Sequence, residues 1–145
     1  MMDDTDLALI AELQKDARLP ISKLAARLKM ARTTAQARLD RLQQKGIISG
    51  FSIRLGDGAS HNLIRATVLL NIDTRATPTV VSRLNAIPNV QRATSASGRF
   101  DMVLNVSAQT PTALDSVLDQ IGDINGVQSS ESLIHLSTKI DREGH

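Results

Sequence analysis

Apolar positions in the first 45 residues recur at helical spacing, in three short blocks. Leu7, Ile10, Ala11 and Leu13/Gln14 form a 3.6-residue stripe, which Asp3 or Asp4 can cap and Asp16-Ala17-Arg18 closes. Pro20 suits the start of a second helix with Leu24, Ala25 and Leu28 as its apolar face. Lys29-Met30 reads as a tight turn. A third helix runs from about Ala31 to Lys45 and stops at Gly46. Its buried stripe is Ala35, Leu39 and Leu42; its opposite face is Arg32, Thr33, Gln36, Ala37, Asp40, Arg41 and Gln44. Three helices with a very short turn between the last two predict a helix-turn-helix. A plain three-helix bundle with a solvated basic face is the alternative. Beyond Gly46 the period becomes two: Ile47, Phe51, Ile53 and Leu55 predict a strand over Ile47–Leu55. The small and polar run GDGASHN (56–62) predicts a linker between two domains, 1–55 and 63–145.

The second half repeats a different pattern. Ala66–Ile72 reads as a strand. Thr77-Pro78 opens a helix with Val80, Val81, Leu84 and Ile87 inward, ended by Pro88-Asn89. Val90–Ser97 and Phe100–Ser107 read as strands joined at Ser97-Gly98-Arg99. Thr110-Pro111 opens a second helix through Leu114, Val117, Leu118 and Ile121, ended at Asn125-Gly126, and Val127–Lys139 reads as a long final strand. The order predicts an α+β domain of the ferredoxin-like βαββαβ kind, with both helices on one face of a four-stranded sheet. The other face, expected to be rich in Val, Leu and Ile, needs a cover, and a second copy of the same sheet is the simplest one.

Charge separates the two halves. Residues 1–55 carry net +4 and residues 56–145 net −2; within residues 18–45 eight Lys or Arg face a single acid, Asp40. Such concentration on a helical pair points to a polyanion, most plausibly double-stranded DNA. Phe51 and Phe100 are the only aromatic residues, which argues against binding single strands by base stacking. The chain has no cysteine, and His61, His135 and His145 lack metal-ligand spacing. No phosphate-binding Gly-rich loop and no paired nucleophile and base stand out, so neither an enzyme nor a cofactor is expected. No apolar run approaches ~20 residues and the start, MMDDTD, is acidic, so no membrane association and a cytoplasmic location are expected.

Several segments in fixed order carry a family resemblance. They are Asp3-Asp4-Thr5-Asp6, Ile10, Leu13-Gln14-Lys15-Asp16-Ala17-Arg18, Leu24-Ala25, Arg38-Leu39, Leu42, Gly46-Ile47-Ile48 and Gly50-Phe51, then Ser97-Gly98-Arg99-Phe100-Asp101 and Gly126-Val127. Over nearly its whole length the chain resembles the Lrp/AsnC (leucine-responsive, feast/famine) transcriptional regulators. The resemblance implies a winged-type helix-turn-helix domain before a ferredoxin-like, RAM/ACT-like domain that dimerises and often binds a small amino acid. It also implies that Ile47–Leu55 ties domains and partner chains together, and that dimers join into rings such as octamers. Two positions depart from the family pattern. Lys29-Met30-Ala31 stands where Gly-Leu-Ser is usual, losing a relaxed turn residue and a helix cap worth ~1 kcal/mol. Arg99 stands where an acid is common.

In a helix-turn-helix dimer the second helix of the motif enters the major groove of a palindromic site. Arg32, Thr33, Thr34, Gln36 and Ala37 are expected at base edges, and Arg41 at phosphate. Lys23, Arg27 and Lys29 are expected on the backbone. Arg38 is open between DNA contact and an internal salt bridge to Asp16 or Asp6; Asp40 is expected to hold Arg41 or Gln44. Gly98 permits close backbone approach, so N–H groups of the Ser97–Asp101 turn could hold a carboxylate while Asp101 meets an α-ammonium. The resemblance adds Ser130, Glu131 and Ser132 to this effector site, with Arg99 and Phe100 inside the turn. The competing reading is a plain hairpin in which Asp101 caps the turn and pairs with Arg99 or Arg92. Two other functions remain: an architectural DNA-binding protein without effector, and remotely a haem-pathway decarboxylase of the same architecture.

Overall fold

The computed structural model describes residues 2–60 and 62–142. The chain forms two compact units, Met1–Arg54 and Leu55–His145.

In the first unit α1 (Asp4–Lys15), α2 (Ile21–Arg27) and α3 (Arg32–Gln44) enclose a core of Leu9, Leu13, Leu19, Leu24 and Leu42. Asp3 starts α1 with a capping box: its carboxylate accepts from the Asp6 N–H at 2.8 Å, and the Asp6 carboxylate accepts from the Asp3 N–H at 3.3 Å. The inward stripe of α1 is Asp6, Leu9 and Leu13, while Leu7 is 52% exposed and Ala11 also faces out. Of the expected stripe, Leu13 is buried and Ile10 packs half-buried against the core, while Leu7 and Ala11 do not face it, because the inward-facing Asp6 disguises the period. Leu24 and Ala25 of α2 and Ala35 and Leu42 of α3 are buried, with Leu28 and Leu39 half-buried beside them.

The turn from α2 to α3 is a Schellman motif, with the Met30 N–H on the Ala25 carbonyl at 3.0 Å and the Lys29 N–H on the Ala26 carbonyl at 3.2 Å. It requires a left-handed residue, and Lys29 takes that conformation at φ 55°. Gly46, at φ 72°, ends α3. No strand follows. Among the described residues, 47–55 join no ladder, the Ile48 N–H bonding back to the Leu42 carbonyl at 3.1 Å, and Phe51 and Ile53 are 51% and 81% exposed. The alternation expected to make a strand there is present in sequence, but a strand needs a ladder partner and the single chain supplies none. The 56–62 linker carries one helical turn, α4 (Asp57–Ser60); His61 lies outside the described residues.

The second unit runs β1 (Ile64–Ile72), a 3-10 turn (Thr74–Ala76), α5 (Thr77–Asn85), β2 (Val90–Ser95), β3 (Met102–Ala108), α6 (Pro111–Gly122) and β4 (Val127–Ile134). The sheet order is β2-β3-β1-β4, with every neighbouring pair antiparallel: the ferredoxin-like βαββαβ fold. Val68, Leu70, Leu104 and Val106 meet Val80 and Leu84 of α5 and Leu114, Val117 and Ile121 of α6 in the core. Val81, expected inward, is exposed. Thr110 caps α6 by accepting from the Ala113 N–H at 3.1 Å. Gly126, at φ 105°, makes the turn into β4, and a Cβ there would collide with that of Ala76.

The final strand ends earlier than its expected limit at Lys139. Ala66 pairs with Ile134, and one more bond, from the His135 N–H to the Arg65 carbonyl at 2.9 Å, brings the ladder to the start of β1. The open sheet face also differs from expectation. Cross-strand partners share a face, which sets Thr67, Leu69 and Asn71 beside Asn105, Val103, Leu133, Glu131 and Ser129. It is a narrow apolar stripe flanked by polar side chains, because most Val and Leu went to the helix-covered face.

Candidate DNA interface and effector turn

The exposed surface of α3 follows from its apolar stripe. With Ala35 and Leu42 buried and Leu39 half-buried, helical rotation puts Arg32, Thr33, Thr34, Gln36 and Ala37 in solvent. Lys23 and Arg27 of α2 and Lys29 of the turn are exposed as well. Lys23, Lys29 and Arg32 make no ion pair with another described residue. Donor groups suited to phosphate and base edges therefore lie on α2, the turn and the first half of α3.

Three basic residues of the same segment are engaged within the unit. Arg27 donates to Glu12 at 2.9 Å, and that hydrogen bond holds the Glu12 carboxyl below its ordinary value. Arg41, expected on DNA phosphate, instead forks onto Asp6, its Nη2 lying 2.9 and 3.1 Å from the two carboxylate oxygens. Arg38 resolves toward the internal alternative. Its Nη1 reaches both Asp3 oxygens at 2.9 and 3.0 Å and Asp6 Oδ1 at 3.1 Å, while Asp16 is used by the Arg18 N–H. The Arg38 hydrogen bond, followed by that of the Asp6 N–H, lowers the Asp3 carboxyl; Asp3 and Asp6 in turn raise Arg38. Asp40 holds neither Arg41 nor Gln44: it accepts from Gln36 Nε2 at 2.8 Å, one turn back on the helix. The ionic pairing of α1 with α3 had a sequence signal in Asp3/Asp6 and Arg38/Arg41, two acids and two arginines each three residues apart.

The β2–β3 hairpin supplies the second candidate site. Gly98 sits at φ 138°, and the Ala96 N–H bonds the Asp101 carbonyl at 2.9 Å. Ser97, Gly98 and Arg99 are exposed, Phe100 and Asp101 half-buried. The Arg99 guanidinium lies 5.8 Å from the Phe100 ring centroid. Asp101 pairs with neither Arg99 nor Arg92. Its N–H bonds the Leu70 carbonyl at 2.8 Å, and its Oδ2 accepts from the Ile72 N–H at 2.9 Å, where the β1–β4 register slips. One oxygen of the carboxylate expected to meet an α-ammonium thus closes the end of β1. Ser130, Glu131 and Ser132 lie on β4 opposite Leu70, Leu69 and Val68. The turn and this segment consequently flank β1 from its two sides, two strand spacings or about 10 Å apart. A cleft of about 400 Å³ lies at the other end of β1, between Leu63, Arg65 and residues 135–140. The His135 ring there is 2.8 Å from the Thr67 hydroxyl; His61 and His145 lie outside the described residues. Among those described, no group of three or more His, Cys, Asp or Glu gathers as a metal site, and no helix is long and apolar enough to cross a membrane.

Comparison with known proteins matches both halves in series. A family described as "Winged helix-turn-helix DNA-binding" matches residues 2–49, and one described as "Lrp/AsnC ligand binding domain" matches residues 65–144. The HTH-type transcriptional regulator LysM of Saccharolobus solfataricus is 30% identical over 94% of this chain and 95% of its own. FL11 of Pyrococcus furiosus is 28% identical over 99% and 93%. Among solved structures, the feast or famine regulatory protein of Mycobacterium tuberculosis, complexed with L-methionine, superposes with a TM-score of 0.87 at 30% identity, covering 100% of this chain and 99% of that one. AsnC of E. coli shares the fold at a TM-score of 0.88 and 24% identity, over 98% and 97%. LysM and FL11 are named as transcriptional regulators, which disfavours both the decarboxylase and the purely architectural alternatives. The chain belongs to the Lrp/AsnC family of transcriptional regulators, with a helix-turn-helix DNA-binding domain ahead of the family's ligand-binding domain.

Proposed function

We propose that the DNA-binding domain spans residues 1–55 and the dimerisation and effector domain residues 63–145, joined by 56–62. In this reading α3 lies in the major groove of a palindromic duplex. Arg32, Thr33, Thr34, Gln36 and Ala37 face base edges, while Lys23 and Lys29 hold phosphates, joined by the exposed Arg27 when it exchanges Glu12 for phosphate. The exposure pattern of α3 carries it: polar, donor-rich side chains fill the N-terminal half of the one face that packing leaves open. The protein works in the cytoplasm as a symmetric dimer, further assembled into an octameric ring of dimers. The exposed Phe51, Ile53 and Leu55 and the stripe of Leu69, Val103 and Leu133 supply the apolar surface for that assembly. A small amino acid binds between subunits at Ser97, Gly98, Arg99, Phe100 and Asp101 with Ser130, Glu131 and Ser132. The N–H groups of Gly98, Arg99 and Phe100, which have no hydrogen-bond partner among the described residues, meet its carboxylate. It acts by preferring one assembly state over another.

The test of the DNA reading is binding to duplexes recovered by selection from a random-sequence pool. Preference of about 10³ or more over random duplex is expected of a regulator, and a ratio near one would return the architectural alternative. The effector reading is tested by thermal unfolding against the twenty amino acids, beginning with L-methionine, the ligand of the M. tuberculosis relative. A ligand present at ~100 times its Kd adds about 2.7 kcal/mol. Asp101→Ala is expected to abolish the shift, read against its own unliganded melting temperature because the change also removes a backbone cap. No shift with any amino acid would reject the effector assignment.

A further inference from the structure

Asp6 is the one charged side chain that is buried among the described residues, at 1% exposure, and the contact scheme above leaves it unused. It is fully engaged. Oδ1 accepts from Arg38 at 3.1 Å and from Arg41 at 3.1 Å; Oδ2 accepts from Arg41 at 2.9 Å and from the Asp3 N–H at 3.3 Å. Asp3 completes the cluster by taking Arg38 on both of its oxygens. The two arginines stand one turn apart on α3, and both acids stand at the first turn of α1.

Few apolar side chains locate α3: Ala35 and Leu42 are fully buried and Leu39 is half-buried beside them. Its N-cap, Ala31, makes no side-chain hydrogen bond. Charge-assisted hydrogen bonds, by contrast, are short and directional, and two arginines gripped by one carboxylate resist a roll of the helix in either sense. Because side chains advance by about 100° per residue around a helix, a modest roll would swing Arg32 and Gln36 away from the base edges they face.

We propose that Asp6 is a positioning residue for DNA recognition. By gripping Arg38 and Arg41 it sets the rotation of α3, and it keeps Arg41 off the phosphate backbone. This rests on α3 being the recognition helix. Arg41 then contributes to discrimination through geometry and not to affinity through charge, the reverse of what a surface arginine on such a helix would ordinarily do.

The experiment uses the full chain, a duplex recovered by selection and a random duplex, over a salt series, below the temperature at which circular dichroism detects unfolding. Asp6→Asn keeps the shape of the side chain and removes its charge; it is expected to lower the selected-to-random affinity ratio by about tenfold, the scale of one misread base pair. Arg41→Gln should fold even if Asp6→Asn does not, because Arg41 is 45% exposed. It is expected to lower the same ratio several-fold while leaving the log–log salt slope unchanged. A phosphate contact would do the opposite, flattening the slope by about one and sparing the ratio, and that result would overturn the proposal. So would an unchanged ratio in Asp6→Asn, which would reduce the cluster to a structural tie. Lys23→Gln and Arg32→Gln separate this failure from failure of the interface. If neither alters slope or ratio, α3 is not the recognition helix and the proposal falls with that reading.

Discussion

Lys29 shows how one residue can be in tension with its own backbone. A non-glycine side chain in the left-handed region costs roughly 1 kcal/mol, and Ala31 two positions later leaves α3 without a side-chain cap. Lys29→Gly is therefore expected to raise stability by about 0.5–1 kcal/mol in urea unfolding, and Ala31→Ser by about 1 kcal/mol. If Lys29 also touches phosphate, Lys29→Gly will flatten the salt dependence of DNA binding by about one log–log unit, so stability and affinity move in opposite directions. Asp101→Ala is expected to cost about 1–3 kcal/mol even without ligand, by stranding the Ile72 N–H. Titration adds a residue-level signature in the first unit. Asp3 and Glu12 are both held below their ordinary values of 3.8 and 4.5, by Arg38 and Arg27 respectively. A depressed carboxylate contributes stability above its unfolded pKa and loses it as pH falls through the folded one. The melting temperature should accordingly drop below about pH 4.5, and Asp3→Asn with Glu12→Gln should blunt that drop.

At the scale of elements, the αβ unit depends on turns as much as on its core. Gly126 combines a positive φ with a Cβ-sized space filled by Ala76, and its carbonyl accepts from the Asp73 N–H at 2.8 Å. Gly126→Ala therefore strains the turn and pushes the 3-10 segment off β4; a loss of about 2–4 kcal/mol is expected in chemical unfolding. Leu104→Ala, in the middle of β3 between both helices, should cost about 2–5 kcal/mol by leaving a cavity. Helices were well placed from sequence where Pro, Thr or Gly punctuated them, as at Thr77-Pro78, Thr110-Pro111 and Gly46. Faces were less secure. On α1, Ile10 and Leu13 face the core as their spacing predicts but Leu7 and Ala11 do not, because Asp6 points inward and a period count treats an inward acid as a surface residue. Strand lengths differ where pairing, not alternation, sets them: β4 stops where its ladder with β1 ends, at Ala66 and Ile134.

At the scale of the whole molecule, exposed apolar side chains concentrate in segments without a partner in the chain. Phe51, Ile53 and Leu55 lie on backbone with no ladder, and Leu133 and Val103 flank Leu69 on the open sheet. If these surfaces join copies of the chain, the melting temperature will rise with protein concentration. A Phe51→Asp/Ile53→Asp double variant should sediment as a smaller species while keeping its helix content.

The amino-acid sequence alone determined the three helices of the first unit, the βαββαβ order of the second, the split of charge between the halves and the family, since periodicity, punctuation and motif spacing are local properties. It also determined which helix is basic and which turn holds Gly98. Only the tertiary structure decided how those charges are spent. Arg38 and Arg41 sit on the basic helix yet close on Asp3 and Asp6, and the Asp101 carboxylate closes the end of β1. Charge count is additive along a chain, whereas the partner of each of these charges lies 29 to 35 positions away and only folding brings it within hydrogen-bond reach.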